Sequence, residues 1–139
     1  MTNDRLKFRV WDKEEKTYNS KKFYSWVLEE TGDLLGIEMK EYTDFCIDKV
    51  IVEFCTGVKD KNGKLIYAGD IVKTKHDDVG VVIDSNHFLE WRIVFKKGRK
   101  HLLDNEEFGV PMFDFTENAI GKNILKVIGN IQENLELLK

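Results

Sequence analysis

The sequence predicts a mainly β protein, a small barrel or strongly bent sheets with SH3-like strand pairing and few short helices. Three observations carry that expectation. Short apolar runs alternate with a period of two, helical spacing is scarce, and turn signals built on Gly, Asn and Asp separate the runs at short intervals. The 139 residues fit one domain, 1–139, with a short C-terminal tail at about 132–139. A chain of this length can bury roughly two thirds of the surface it exposes when unfolded, so a core needs no staples.

The elements follow in order. "RLKFRVW" places Leu6, Phe8 and Val10 on one face and Arg5, Lys7 and Arg9 on the other, and "DKEEKT" reads as a turn. "FYSWVLEE" and "LLGIEMKEY" flank Thr31-Gly32-Asp33, a hairpin whose Gly32 tolerates a tight reversal. "KVIVEFC" alternates again, with Val50, Val52 and Phe54 opposed to Ile51, Glu53 and Cys55. "DIVKTK", "VGVVID", "FLEWRIVF" and "LKVIGNI" supply further strands. In "TGVKDKNGKLIYAGDIV", Asn62-Gly63 predicts a type I′ reversal between Val58 and Leu65, with positive φ at both central residues. Gly69-Asp70 predicts a second bend that delivers Ile71 and Val72 into a sheet, and Asp77-Asp78 a third turn. In the tail, Asn134 reads as the N-cap of a short helix carrying Leu135, Leu137 and Leu138.

Composition narrows the function classes. Hydrophobic residues make up 42% and charged residues 34%, which fits an ordered chain with a soluble surface. The two cysteines, Cys46 and Cys55, are too few for a disulfide framework and imply reduced thiols. No apolar run approaches the roughly 20 residues of a bilayer span, so a cytoplasmic protein without a membrane partner is expected. A net charge of −3 neither makes nor excludes a nucleic-acid partner.

Four blocks carry a more specific resemblance: "KFRVWDKEEK" from Lys7, "TGVKDKNGKLIYAGDIVK" from Thr56, "GVV" from Gly80 and "VIGNIQENLELL" from Val127. Together they resemble the YopX family of bacteriophage and prophage proteins over nearly the whole chain. The departures are Ala68, Gln132 and Leu135, which stand where a glutamate, an aromatic or His, and a proline are more usual. The resemblance implies a phage-derived, predominantly β protein that self-associates. Its motif residues here are Trp11, Asp12, Thr56, Gly57, Asp60, Asn62, Gly63, Tyr67, Gly69, Asp70, Gly129 and Asn130, expected to serve the fold, with Lys61 and Lys64 incidental.

Candidate chemistry is sparse. His76-Asp77-Asp78 has ligand-type side chains, but adjacent residues on a turn do not converge on one ion, so no metal or cofactor is expected. His87 and His101 can be imagined beside a cysteine, yet nothing local activates either thiol. The adjacent glutamates Glu14-Glu15, Glu29-Glu30 and Glu106-Glu107 give no acid/base pair, and no catalytic residue is assigned. The binding candidate is "FKKGRKH", where Lys96, Lys97, Arg99 and Lys100 surround Gly98 in an expected hairpin turn suited to phosphate contacts, with "DNEE" behind it able to fold back. Phe23, Tyr24 and Trp26 suit a core or subunit interface better than base stacking. The leading expectation is therefore a non-enzymatic homo-oligomer that binds an unidentified phage or host protein. A nucleic-acid-binding barrel using residues 96–100 is the alternative, and a small hydrolase is the third reading.

Overall fold

Twelve β-strands, a one-turn α-helix and two 3-10 turns form among residues 7–18, 23–28, 34–38, 42–44, 50–85, 90–105, 107–116, 121 and 123–139, which the computed structural model describes. The mainly β class is thus the observed one. The chain divides into two compact units, Phe8–Glu53 and a larger one comprising Met1–Lys7 and Phe54–Lys139.

In the smaller unit, β1 (Phe8–Asp12) and β2 (Thr17–Tyr18) pair antiparallel, with Trp11 opposite Tyr18. Asp12 makes the reversal. Its Oδ1 accepts the amides of Glu14 and Glu15 at 2.9 and 3.1 Å and its carbonyl accepts that of Lys16 at 2.8 Å, so three successive amides of the turn have partners. Val10 and Val50 are buried against each other's neighbours Phe8 and Val52. Arg9, on the opposite face, is held by Glu53, whose Oε1 accepts from Arg9 Nε at 2.8 Å and from the Tyr18 hydroxyl at 2.7 Å. Strands β3 (Phe23–Leu28) and β4 (Leu34–Glu38) pair with Leu28 opposite Leu34, and β5 (Tyr42–Asp44) adds to β4. That is the expected hairpin; Thr31-Gly32-Asp33 itself lies outside the described residues.

Strand β6 (Val50–Lys59) runs from the smaller unit into the larger, and its alternation does not hold throughout. Val50 and Glu53 are buried, Phe54 is exposed, and Cys55 and Thr56 are both buried. Phe54 therefore does not share an inward face with Val50 over the strand's length. A buried Glu53 is tolerated because Arg9 and Tyr18 supply its hydrogen bonds.

In the larger unit β6 pairs with β7 (Leu65–Tyr67), and five strands form an antiparallel sheet. They are β8 (Asp70–Lys73), β9 (Val79–Ser85), β10 (Glu90–Lys97), β11 (Val110–Pro111) and β12 (Lys126–Asn130), in the order β11-β10-β9-β8-β12. Val82, Ile93, Phe95 and Val127 face a core that also takes Ile66, Leu102, Met112, Phe115 and Leu125. Phe95 and Phe115 meet at 5.5 Å between ring centroids. Burial of each such side chain stabilises by about 1.5–3 kcal/mol. Arg92 to Phe95 form a continuous buried run, possible because Arg92 donates to the Phe108 and Gly109 carbonyls at 2.8 Å each.

Two turns differ from the expected chemistry. Asn62 does not take positive φ; Gly63 does, at 85°. Gly63 N donates to Asp60 O at 3.0 Å and Asp60 N to Lys64 O at 2.7 Å, the pattern of a three-residue loop with a glycine bulge in place of a type I′ turn. In the tail, the helix is a 3-10 turn, Leu135–Leu138, and Asn134 does not cap it through its side chain. Asn134 Oδ1 instead accepts the Asn130 amide at 3.2 Å, closing the turn behind β12. Leu137 and Leu138 are half-buried, whereas Leu135 is exposed.

Candidate functional site

The basic stretch after β10 is not a hairpin tip. Lys96 and Lys97 end the strand exposed, Gly98 turns the chain at φ 124°, and the helix α1 (Lys100–Leu103) follows to bury Leu102 in the core. Arg99, between them, is turned onto Asp78. Its Nη2 lies 2.6 Å and its Nε 3.0 Å from Asp78 Oδ2, while its backbone amide donates to Oδ1 at 2.8 Å. Asp78, with 0% exposure, also accepts from Thr74 Oγ1 at 2.7 Å. Burial alone would raise its pKa; hydrogen bonds from the Arg99 side chain and backbone and from Thr74, with the Arg99 charge, outweigh burial and bring it from 3.8 to about 2. Lys100 is neutralised in part by Asp104 at 3.1 Å, an exposed pair of small worth. Of the four cations read as one cluster, Arg99 thus anchors the loop, and Lys96 and Lys97 face solvent.

Several motif residues stand at strand ends or turns and hold them through side-chain hydrogen bonds. Asp60 is buried; its Oδ1 accepts the Asn62 and Lys64 amides, both at 2.9 Å, and its Oδ2 accepts the Val127 amide at 2.9 Å. Asp70 takes the Tyr67 amide at 2.8 Å, and Gly69 donates to Val82 O at 2.8 Å. Thr56 Oγ1 accepts from Val58 N at 3.1 Å, and the Gly57 amide lies 3.4 Å from Cys55 Sγ. Gly129 stands opposite Ile71, and Asn130 Oδ1 accepts the Gln132 and Glu133 amides at 3.0 and 2.9 Å. Trp11 packs edge-on to Tyr18 at 5.0 Å.

Two of these turns are built alike. Thr74 N donates to Asp78 O at 2.9 Å and Asp77 N to Thr74 O at 3.1 Å, as Asp60, Gly63 and Lys64 do, and Asp77 takes the positive φ of Gly63's position, 65°. Thr74 Oγ1 plays the part of the Asp60 carboxylate, accepting the His76 and Asp78 amides at 3.2 and 3.3 Å. Lys61 and Lys75 therefore occupy the same place in two equivalent loops. Between them and the start of β12 lies an open pocket of about 230 Å³, lined by Lys61, Lys73, Thr74, Lys75, Asp77 and Lys126. The Lys61 amide donates to Leu125 O at 2.9 Å, which ties the first loop to β12. This group is not apparent from the sequence, in which Lys61 is incidental to a turn and Lys73, Lys75 and Lys126 belong to no motif of their own. A lysine at the first position of each loop is the signal that pointed there.

The remaining candidates stay apart. His76 is exposed while Asp78 is aimed inward at Arg99, and no group of three metal-ligating side chains forms among the described residues. Cys55 is a buried free thiol, and His101 is exposed on α1. Cys46, His87, Glu29, Glu30 and Glu106 lie outside the described residues, as do the side chains of Phe23, Tyr24 and Trp26. No helix among the described residues is long and apolar enough to cross a membrane.

Comparison with known proteins supplies the kinship. Two solved structures share the fold: YopX from Bacillus subtilis, at 20% identity and TM-score 0.58 over 97% of this chain and 99% of that one, and EF1440 from Enterococcus faecalis, at 24% identity and TM-score 0.54 over 96% and 97%. Comparison with curated proteins gives no match. The family model described as YopX protein matches residues 7–139, and the chain belongs to the YopX family.

Proposed function

We propose that this chain is a phage- or prophage-encoded cytoplasmic protein that works by association with other proteins, itself included, and not by catalysis. The observation that carries the reading is at one edge of the five-stranded sheet. Phe108 and Phe113, 41% and 55% exposed, flank the two-residue edge strand β11. An edge strand offers unpaired backbone groups, and exposed aromatics beside it add apolar area to any strand that pairs there. The occupant we assign is a second copy of the chain, since an edge can pair with its own symmetry mate. The buried carboxylates favour the same reading: Asp12, Glu53, Asp60, Asp70 and Asp78 each accept hydrogen bonds that hold a turn or a strand end. Nucleic acid held by Lys96–Lys100 is less well supported, because Arg99 and Lys100 are paired with carboxylates of their own chain.

Light scattering at micromolar concentration tests the proposal. The parent is expected to run above its 16.3 kDa chain mass, and Phe113→Ser to shift it toward that mass with its circular dichroism unchanged. A parent that runs as a monomer throughout refutes self-association.

A further inference from the structure

The lysine-lined pocket plays no part in the association reading and stands independently of it. Three segments distant in sequence meet there, at Lys61, at Lys73 to Asp77 and at Lys126. Lys73 and Lys126 are directly opposite one another in the β8–β12 pairing. Their side chains therefore leave the same face of the sheet with Cβ atoms about 5 Å apart, an arrangement in which like charges are destabilising. Lys61 and Lys75 add two more ammonium groups, and among the described residues Asp77 is the one carboxylate in the lining, with its Oδ1 3.1 Å from Lys73 Nζ. The positive charge is thus concentrated and incompletely balanced. Its scaffold is fixed: Asp60 and Thr74 hold the two loops, and the Lys61 to Leu125 bond holds the first loop against β12.

We propose that this pocket binds a phosphate group. Lysine ammoniums are compact point charges with three donors each, suited to an oxyanion approached from several sides. No arginine among the described residues lines the pocket, and the Thr74 hydroxyl is already donated to Asp78, so selection rests on charge density. A phosphate dianion gains more from it than a carboxylate does. At about 230 Å³ the pocket is smaller than the roughly 300–1,000 Å³ of sites that enclose drug-sized ligands. It accommodates the phosphate, and the remainder of a phosphate-bearing ligand lies outside in solvent.

The test is amide NMR of the full chain, titrated with inorganic phosphate and, at matched ionic strength, with sodium chloride. Phosphate is expected to move the signals of Lys61, Lys73 to Asp77 and Lys126 saturably, and chloride to leave them. The double variant K73Q/K126Q should bind phosphate about tenfold more weakly. K96Q/K97Q, with the same loss of charge elsewhere, should bind it as the parent does. Because glutamine relieves the cross-strand repulsion, K73Q/K126Q should melt no lower than the parent in chloride, and phosphate should raise its melting temperature less. A second titration with short oligothymidylate separates the sources: tighter binding than phosphate at the same residues assigns the phosphate to a strand, and equal or weaker binding assigns it to a small ligand. No saturable shift, equal shifts in chloride, or equal losses in both double variants would overturn the proposal.

Discussion

Asp78→Asn tests how the larger unit joins its second loop to the segment after β10. Asp78 is wholly buried and accepts from Thr74, from the Arg99 amide and from the Arg99 guanidinium, at 2.6–2.8 Å for the shortest contact with each. Asparagine keeps one acceptor oxygen, turns an NH₂ donor toward other donors, and removes the charge. Removing one partner of a buried ion pair costs about 3–5 kcal/mol when the other stays buried. Arg99 is 39% exposed and can regain water, so the expected loss at neutral pH is about 2–3 kcal/mol. The pH dependence is a second signature. The Asp78 pKa falls from 3.8 to about 2 on folding, so its contribution is complete above 3.8 and disappears as pH falls toward 2. At about 1.4 kcal/mol per pH unit, and discounted for the partly screened Arg99, that contribution is about 1–2 kcal/mol. Urea unfolding followed by tryptophan fluorescence reads both, since Trp91 packs against the core. The parent and variant curves should converge by about 1–2 kcal/mol over that acid window. Parallel curves, or a variant as stable as the parent at neutral pH, would refute the reasoning.

Gly98→Ala should destabilise more than Gly63→Ala, although both residues take positive φ: an added Cβ at Gly98 would lie 2.2 Å from Asp78 Oδ1, whereas at Gly63 nothing lies within 4 Å. Thermal melts should rank them so, and Gly63→Val should cost about 1–3 kcal/mol from backbone strain alone. Phe95→Ala, which empties the centre of the core beside Phe115, should cost about 3–5 kcal/mol by urea unfolding. Elemental analysis of the purified protein should find no stoichiometric zinc, and chelators should leave its melt unchanged; about one metal per chain would revive His76 as a ligand.

The fold class was legible because period-two alternation and turn residues are local signals, and β1, β4, β8 and β12 each sit where such a run stands. Legibility failed where burial depended on distant chain. The phase of β6 breaks at Glu53 because Arg9 and Tyr18 satisfy a buried carboxylate, and neither is visible from "KVIVEFC". The buried run from Arg92 to Phe95 likewise depends on carbonyls at Phe108 and Gly109. Asn62-Gly63 marks the reversal but not its geometry, because the Asp60 carboxylate captures the Asn62 and Lys64 amides and adds a residue to the loop.

In the central motif, the residues that make the turns differ from the lysine that lines the pocket. Asp60, Gly63, Gly69 and Asp70 stand out in the sequence because turns need them, and the carboxylates of Asp60 and Asp70 are directed back at backbone amides. Side chains committed in that way have little left to offer a ligand. Lys61, exposed, projects from a loop whose backbone its neighbours have already fixed. Nothing in "VKDKNGK" discloses that Lys61 stands near Lys126, since their approach depends on bonds from Asp60 to Val127 and from Lys61 to Leu125, more than sixty residues away. The pairing of Lys73 with Lys126 is equally non-local, and it is the register of β8 on β12 that turns two ordinary strand-end lysines into a like-charged pair. A turn motif can therefore be structural in the residues that identify it and still bring together, through those it positions, the lining of a pocket.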